Sequence, residues 1–269
     1  CASPKDIPDT VAQARAAAGR ILARIAKGRI EIDGVFAEVE KGEAVFGVVP
    51  VENSAEGVVS HTLDTFLGSP LRISAEIVLD VAQCLLAGPG RDPARIARVY
   101  SHPQGFAQCR AWLAENLPRA APVEAPSTAE AARLARDDAE GAAVASELAA
   151  ELYGLAVLRR EIQDQSGNAT RFLVIGREQP GPSGADKTSL LLLIKDGPGA
   201  LHQVVRPFAE AGLNLPKIES GPSRRRAWEH AFFIDADGHE LAPPLAAVLK
   251  ELHALAESVT VLGSYPRAR

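Results

Sequence analysis

The spacing of apolar positions changes along the chain. Over residues 10–27 (TVAQARAAAGRILARIAK), Val11, Ala14, Ala18, Ile21 and Ile25 recur three and four apart, which predicts one amphipathic helix. From Ile32 the pattern becomes short apolar runs separated by helical stretches. AVFGVVPV (44–51), LRISAEIVLDVAQCLLAG (71–88), IARVYSHP (96–103), GAAVAS (141–146), LAVLRREI (155–162) and RFLVIG (171–176) read as buried strands. Between some of them lie helices. Gln104–Asn116 carries Phe106, Cys109, Trp112 and Leu113 on one face. Thr128–Asp137 follows Ser127, a cap residue, with Glu130 three positions on as in a capping box. Strands alternating with helices predict an α/β domain with a largely parallel sheet.

Residues 177–186 (REQPGPSGAD) have the composition of a linker. After them the rhythm shifts again. SLLLLIK is a strand, DGPG a turn, and ALHQVVRPFAEAG a helix with Leu201, Val204, Val205 and Phe208 inward and Gly212 closing it. NLPKIES and WEHAFFIDADG follow as strands, Leu241–Ala256 as a helix and VTVLGSY as a last strand. The order βαββαβ is ferredoxin-like, so two domains are expected.

Composition excludes several classes. The chain has 269 residues, 46% hydrophobic and 23% charged, as in ordinary globular proteins rather than disordered or fibrous ones. No apolar run reaches the ~18 residues of a membrane span. The net charge of -5 offers no basic field for nucleic acid. Cys1, Cys84 and Cys109 are odd in number and far apart, which fits neither a disulfide framework nor a metal site and agrees with a reducing cytoplasm. The chain opens on Cys1 and contains no Met, where about five would be expected; both features suggest that this is not a whole translated gene product.

Three segments carry candidate chemistry. Pro50-Val51-Glu52-Asn53-Ser54-Ala55-Glu56-Gly57 follows a strand and offers carboxylates, an amide and a hydroxyl. Ser101-His102-Pro103-Gln104 sits between a strand and a helix start, where an anion is favoured. Asn168-Ala169-Thr170-Arg171-Phe172 leads into the last strand of the first domain, and Arg171 is a natural fork for a carboxylate. Each segment alone also reads as a turn, a cap or an ordinary strand start. There is no GxSxG, P-loop, GxGxxG or metal-ligand cluster. The Arg224–Arg226 run reads as a solvated turn.

In combination the segments say more. VVPVENSAEG, YSHPQGFAQC, STAEAA, ASELAAELYGL and NATRF, in this order and spacing, closely resemble the prephenate dehydratase family. Gly199-Ala200-Leu201, NLPKIESGP, WEHAFFIDADGH and VLGSYPRA resemble its ACT regulatory domain. The resemblance covers Ile32 to Arg269. It implies a two-lobed, periplasmic-binding-protein-like (type II) catalytic domain over 32–176, a linker over 177–186 and a βαββαβ ACT domain over 187–269. Residues 1–31 remain an uncertain helical segment. The second lobe would run from about 80 to 153, and strand 171–176 would return to the first. The implied reaction turns prephenate into phenylpyruvate with loss of water and carbon dioxide, on the route to phenylalanine, without cofactor or metal.

The resemblance also implies roles. Thr170 is the key catalytic residue, with Arg171 and Phe172 completing its motif. Asn53, Ser54, Ser101, His102, Gln104, Ser146 and Asn168 fall on cleft-lining motifs. Gly199, Ala200, Leu201, Glu219 and Ser220 fall on the site of the effector, L-phenylalanine. Thr170 is best cast as a positioned donor to the leaving hydroxyl, and Arg171 as a clamp for a substrate carboxylate. A homodimer or homotetramer in the cytoplasm is implied, with no nucleic-acid or membrane partner. Three departures stand out. CASPKDIPDT does not match the family's opening strand and Gly-Pro-x-Gly-Thr-type loop. Pro216 and Gly221 replace a Thr and an Arg of the effector motif. The residues before Ile32 are too few for the chorismate mutase unit that many members carry. Arogenate dehydratase is an alternative, as is a non-catalytic amino-acid sensor if the opening strand is truly absent.

Overall fold

The computed structural model describes residues 32–54, 57–165, 167–194, 197–223 and 230–268. The expected helix at 10–27 and the Arg224–Arg226 run lie outside these residues. The chain folds as two lobes and a third sheet. The first lobe holds α1 (Ile32–Lys41), β1 (Phe46–Asn53), β2 (Gly57–Val58), α2 (Ser60–Phe66), β3 (Arg72–Asp80) and the returning β9 (Ala169–Gly176). Its sheet has the order β2-β1-β9-β3. The second lobe holds β4 (Cys84–Ala87), β5 (Arg98–Ser101), α3 (Pro103–Gln108), α4 (Arg110–Asn116), β6 (Ala121–Glu124), α5 (Thr128–Asp137), β7 (Gly141–Ala145), α6 (Glu147–Tyr153) and β8 (Ala156–Arg159). Its sheet runs β6-β5-β7-β4-β8.

The largely parallel sheet expected from the alternating pattern is not what forms. Every described pairing in the first sheet is antiparallel. In the second, β5 runs parallel to β6 and β7, while β4 pairs antiparallel with β7 and β8. The cause is the route of the chain. β9 comes back from the second lobe and inserts between β1 and β3, so it opposes both. Local apolar patterning carries no information about that direction.

The run 71–88 is therefore two strands, β3 and β4, in different sheets. The single helix expected over 104–116 is also two. It breaks at Cys109 (φ -119, ψ 19), and the Asp164 carboxylate accepts from Ala111 N at 2.9 Å and Trp112 N at 3.0 Å to start α4 afresh. Phe106, Cys109, Trp112 and Leu113 still share one cluster with Leu85, Val99 and Val144. On α5, Ser127 Oγ accepts from Glu130 N at 3.1 Å as expected, but the Glu130 carboxylate binds Arg133 instead of reaching back. The buried face of α5 is all alanine (129, 131, 132 and 135), which lets the helix sit close on its sheet.

The third sheet is built from β10 (Asp186–Leu193), β11 (Lys217–Pro222), β12 (His230–Asp237) and β13 (Ser258–Pro266), in the order β11-β12-β10-β13, with α7 (Ala200–Glu210) and α8 (Pro243–Leu255). This is the βαββαβ unit. The unbroken SLLLLI run follows from burial on both faces: Leu190, Leu192 and Ile194 meet the two helices, and Leu191 and Leu193 meet the first lobe. Helix α7 ends in a Schellman arrangement. Gly212 (φ 69) donates to Ala209 O at 3.1 Å, and Leu213 N donates to Phe208 O at 2.9 Å. Leu201 does not face inward. It is 40% exposed in the first turn, short of the core that Val204, Pro207 and Phe208 reach. Gly263 marks where β13 crosses β3, since a side chain there would overlap the Ile73 backbone.

Candidate active site

Strand alternation sorts the NATRF segment into two faces. Thr170 and Phe172 point to one side of β9, and Arg171 and Leu173 to the other. Thr170 and Phe172 line a cleft of about 490 Å³ between the lobes. The first lobe contributes Pro50, Asn53, Asn168, Thr170 and Phe172; the second contributes His102, Gln104, Gln108, Ser127 and Thr128.

Thr170 is 7% exposed and pairs directly across β1 with Asn53. The Asn53 amide Nδ2 donates to Thr170 Oγ1 and to Asn168 Oδ1, each at 2.9 Å. Thr170 is thus an acceptor toward Asn53, and no bond among the described residues consumes its own hydroxyl proton. His102 Nδ1 accepts from Gln104 N at 3.3 Å, which fixes the ring at the start of α3.

Other expected site residues lie elsewhere. Ser54 closes the turn before β9: its Oγ donates to Gly167 O at 3.0 Å and accepts from Ala169 N at 2.9 Å. Ser101 is fully buried, and its Oγ donates to Val144 O at 3.0 Å, tying β5 to β7. Ser146 is exposed at the N-terminus of α6. None of these serines lines the cleft. Gly199 (φ 78), Ala200 and Leu201 open α7, while Glu219 and Ser220 sit on the edge strand β11.

Arg171 is the main correction. Its guanidinium faces the third sheet, so it is not placed to clamp a ligand in the cleft. Nε donates to Glu76 Oε2 at 2.8 Å, NH1 meets Asp235 Oδ2 at 2.7 Å, and NH2 donates to Tyr265 Oη at 3.1 Å. Lys187 Nζ adds bonds of 3.0 and 2.8 Å to the Glu76 carboxylate. Burial alone would raise the Glu76 carboxyl, but Arg171 and Lys187 outweigh it and hold the group below its ordinary value. Burial dominates at Tyr265 and pushes its phenol up.

The structure adds a residue with no signal in the sequence. Gln83, 8% exposed, lies where the chain passes from β3 to β4 and lines the cleft. Its Nε2 donates to Gln108 Oε1 at 3.0 Å, its backbone N donates to Gln163 Oε1 at 3.0 Å, and its backbone O accepts from Ile162 N at 2.9 Å. Its own Oε1 has no partner among the described residues. Gln108 and Ser127 fall within recognisable motifs, but Gln83 simply lies inside the apolar run 71–88. Thiol chemistry is disfavoured: Cys84 and Cys109 are buried, and burial raises the first and pushes the second up to about 12.

A family model of prephenate dehydratase matches residues 17–180, and one of the ACT domain matches 188–254. The chain is 47% identical over 88% of its length to the bifunctional chorismate mutase/prephenate dehydratase of Aquifex aeolicus, and spans 65% of that relative. Among solved structures it resembles prephenate dehydratase from Arthrobacter aurescens in complex with L-Phe, at 40% identity and a TM-score of 0.76, over 86% of this chain and 78% of the other. It also resembles GqqA, described as a novel type of quorum quenching acylase, at 36% identity and a TM-score of 0.77, over 87% and 86%. With a match over more than half its length, two periplasmic-binding-protein-like lobes and an ACT domain behind them, the chain belongs to the prephenate dehydratase family.

Proposed function

We propose that this protein is a prephenate dehydratase regulated by L-phenylalanine through its ACT domain. The observation that carries the reading is the Asn53–Thr170 pair inside the cleft. In the reaction, the ring carboxylate of prephenate leaves as carbon dioxide. Its bonding electrons complete the aromatic ring, and the ring hydroxyl departs with one added proton as water. Thr170, a poor acid, acts as a hydrogen-bond donor that strengthens as the leaving oxygen gains charge. Asn53 polarises that hydroxyl by donating to its oxygen. Such a donor is worth about 10²–10³ in rate, or about 2.7–4 kcal/mol. On the lining, Asn168, Gln104 and Thr128 offer amides and a hydroxyl to the dianion.

We place the catalytic domain at 32–176, the linker at 177–186 and the ACT domain at 187–269. The ACT domain binds phenylalanine through Gly199–Leu201, Glu219 and Ser220. A side chain at Gly221 would meet open space, so its departure from the family's Arg is not forced by packing. The protein works in the cytoplasm as a homodimer or homotetramer; among the described residues no helix is long and apolar enough to cross a membrane. GqqA's acylase activity is a property of that protein.

The test is phenylpyruvate formation from prephenate, compared with the same reaction on arogenate. Thr170→Ala should lower kcat about 10²–10³-fold. Unchanged turnover in that variant would remove Thr170 from the mechanism. Light scattering that gives a monomer mass at micromolar concentration would overturn the oligomer.

A further inference from the structure

Two rungs of the β1–β9 ladder stand next to each other. Asn53 pairs with Thr170, and Glu52 pairs with Arg171. Alternation turns the first rung to the cleft and the second to the ACT sheet. Across that interface stands another rung, Lys217 paired with Asp235 between β11 and β12. The two charged rungs face each other with opposite signs matched. Lys217 Nζ meets Glu52 Oε2 at 2.8 Å, and Asp235 Oδ2 meets Arg171 NH1 at 2.7 Å. The Arg171 and Asp235 side chains are only 13% and 8% exposed, so that pair is poorly screened, while Lys217 at 13% meets the more open Glu52 at 39%. The ladder also carries a register shift between Pro50 and Glu52, so the charged rung stands just past an irregularity in β1, where the strand pairs with β9 on one side and β2 on the other.

We propose that Glu52 and Arg171 are positioning residues that hand the state of the ACT domain to the Asn53–Thr170 pair. Each is one peptide bond from its catalytic neighbour, about 3.3 Å along the strand. A displacement of β11 therefore moves the rung that sets the Asn53-to-Thr170 hydrogen bond. Lys217 opens the same strand that carries Glu219 and Ser220 two and three residues on, so a ligand held by those residues pulls on the joint directly. The inference rests on the dehydratase and phenylalanine-sensing reading.

The test uses the full chain with Lys217→Met, the conservative Lys217→Arg, and Glu52→Gln/Lys217→Met, which removes both charges and strands neither. Phenylalanine binding is measured by calorimetry, and its effect on prephenate turnover by titration. Lys217→Met and the double variant should bind phenylalanine about as tightly as wild type. Its effect on kcat/KM should shrink about fivefold or more, the lower bound of an ordinary coupling. Lys217→Arg should retain the response. A full response in Lys217→Met, or parallel loss of binding and response, would overturn the inference. So would a Lys217→Arg variant that behaves like Lys217→Met. Wild type that turns over prephenate without responding to phenylalanine sinks both the sensing and the coupling; wild type without turnover sinks the dehydratase reading itself.

Discussion

Glu76→Ala tests how firmly the two domains are joined. The Glu76 side chain is 3% exposed and accepts from Arg171, from Lys187 and from the Ala268 backbone N at 3.0 Å. Removing it takes their shared carboxylate from two cations whose side chains are only 13% and 14% exposed. Breaking a buried ion pair from one side costs about 3–5 kcal/mol. Arg171 keeps Asp235 and Tyr265, so the loss belongs near the lower end, about 3 kcal/mol. In equilibrium urea unfolding with a slope of about 3 kcal/mol/M, the midpoint should fall by about 1 M. Glu76→Leu/Lys187→Met, which also removes the stranded ammonium, should recover part of the loss, with a coupling of about 1–3 kcal/mol. A single-variant loss below about 1 kcal/mol, or a double variant worse than the sum of the singles, would show that solvent already screens the network.

Three further outcomes follow. Because the folded Glu76 carboxyl lies below its ordinary value, its contribution is present above about pH 4.5 and lost as pH falls through the depressed value. Wild-type stability should therefore drop more steeply below that pH than that of Glu76→Ala; parallel pH curves would count against it. Gly263→Ala should force β13 away from the Ile73 backbone, which cannot yield like a side chain, and cost about 1–3 kcal/mol in thermal unfolding, whereas an unchanged melting temperature would contradict the close approach. Gln83→Leu should raise KM for prephenate about tenfold by removing a buried amide from the cleft lining, and an unchanged KM would show that the amide never meets ligand.

Much of this was legible in the sequence because it depends on local geometry. The βαββαβ order, the Ser127 cap and the Gly212 helix stop each depend on residues a few positions apart. Asn53, His102, Gln104, Asn168 and Thr170, all taken from the cleft motifs, stand on the lining. Even the opposite facing of Thr170 and Arg171 is implicit in the two-residue period of a strand. Which face meets the cleft is not implicit. Only β9 returning between β1 and β3 put Thr170 against Asn53, 117 residues away, and Arg171 against Glu76, 95 residues away. The same long-range closure split 71–88 between two sheets, broke the 104–116 helix with a cap from Asp164, and drew Ser54, Ser101 and Ser146 off the lining. Rotation per residue is set by covalent geometry and can be read from a single chain. Strand direction, sheet partners and the partners of a buried charge are set by segments that meet only when the chain has closed on itself.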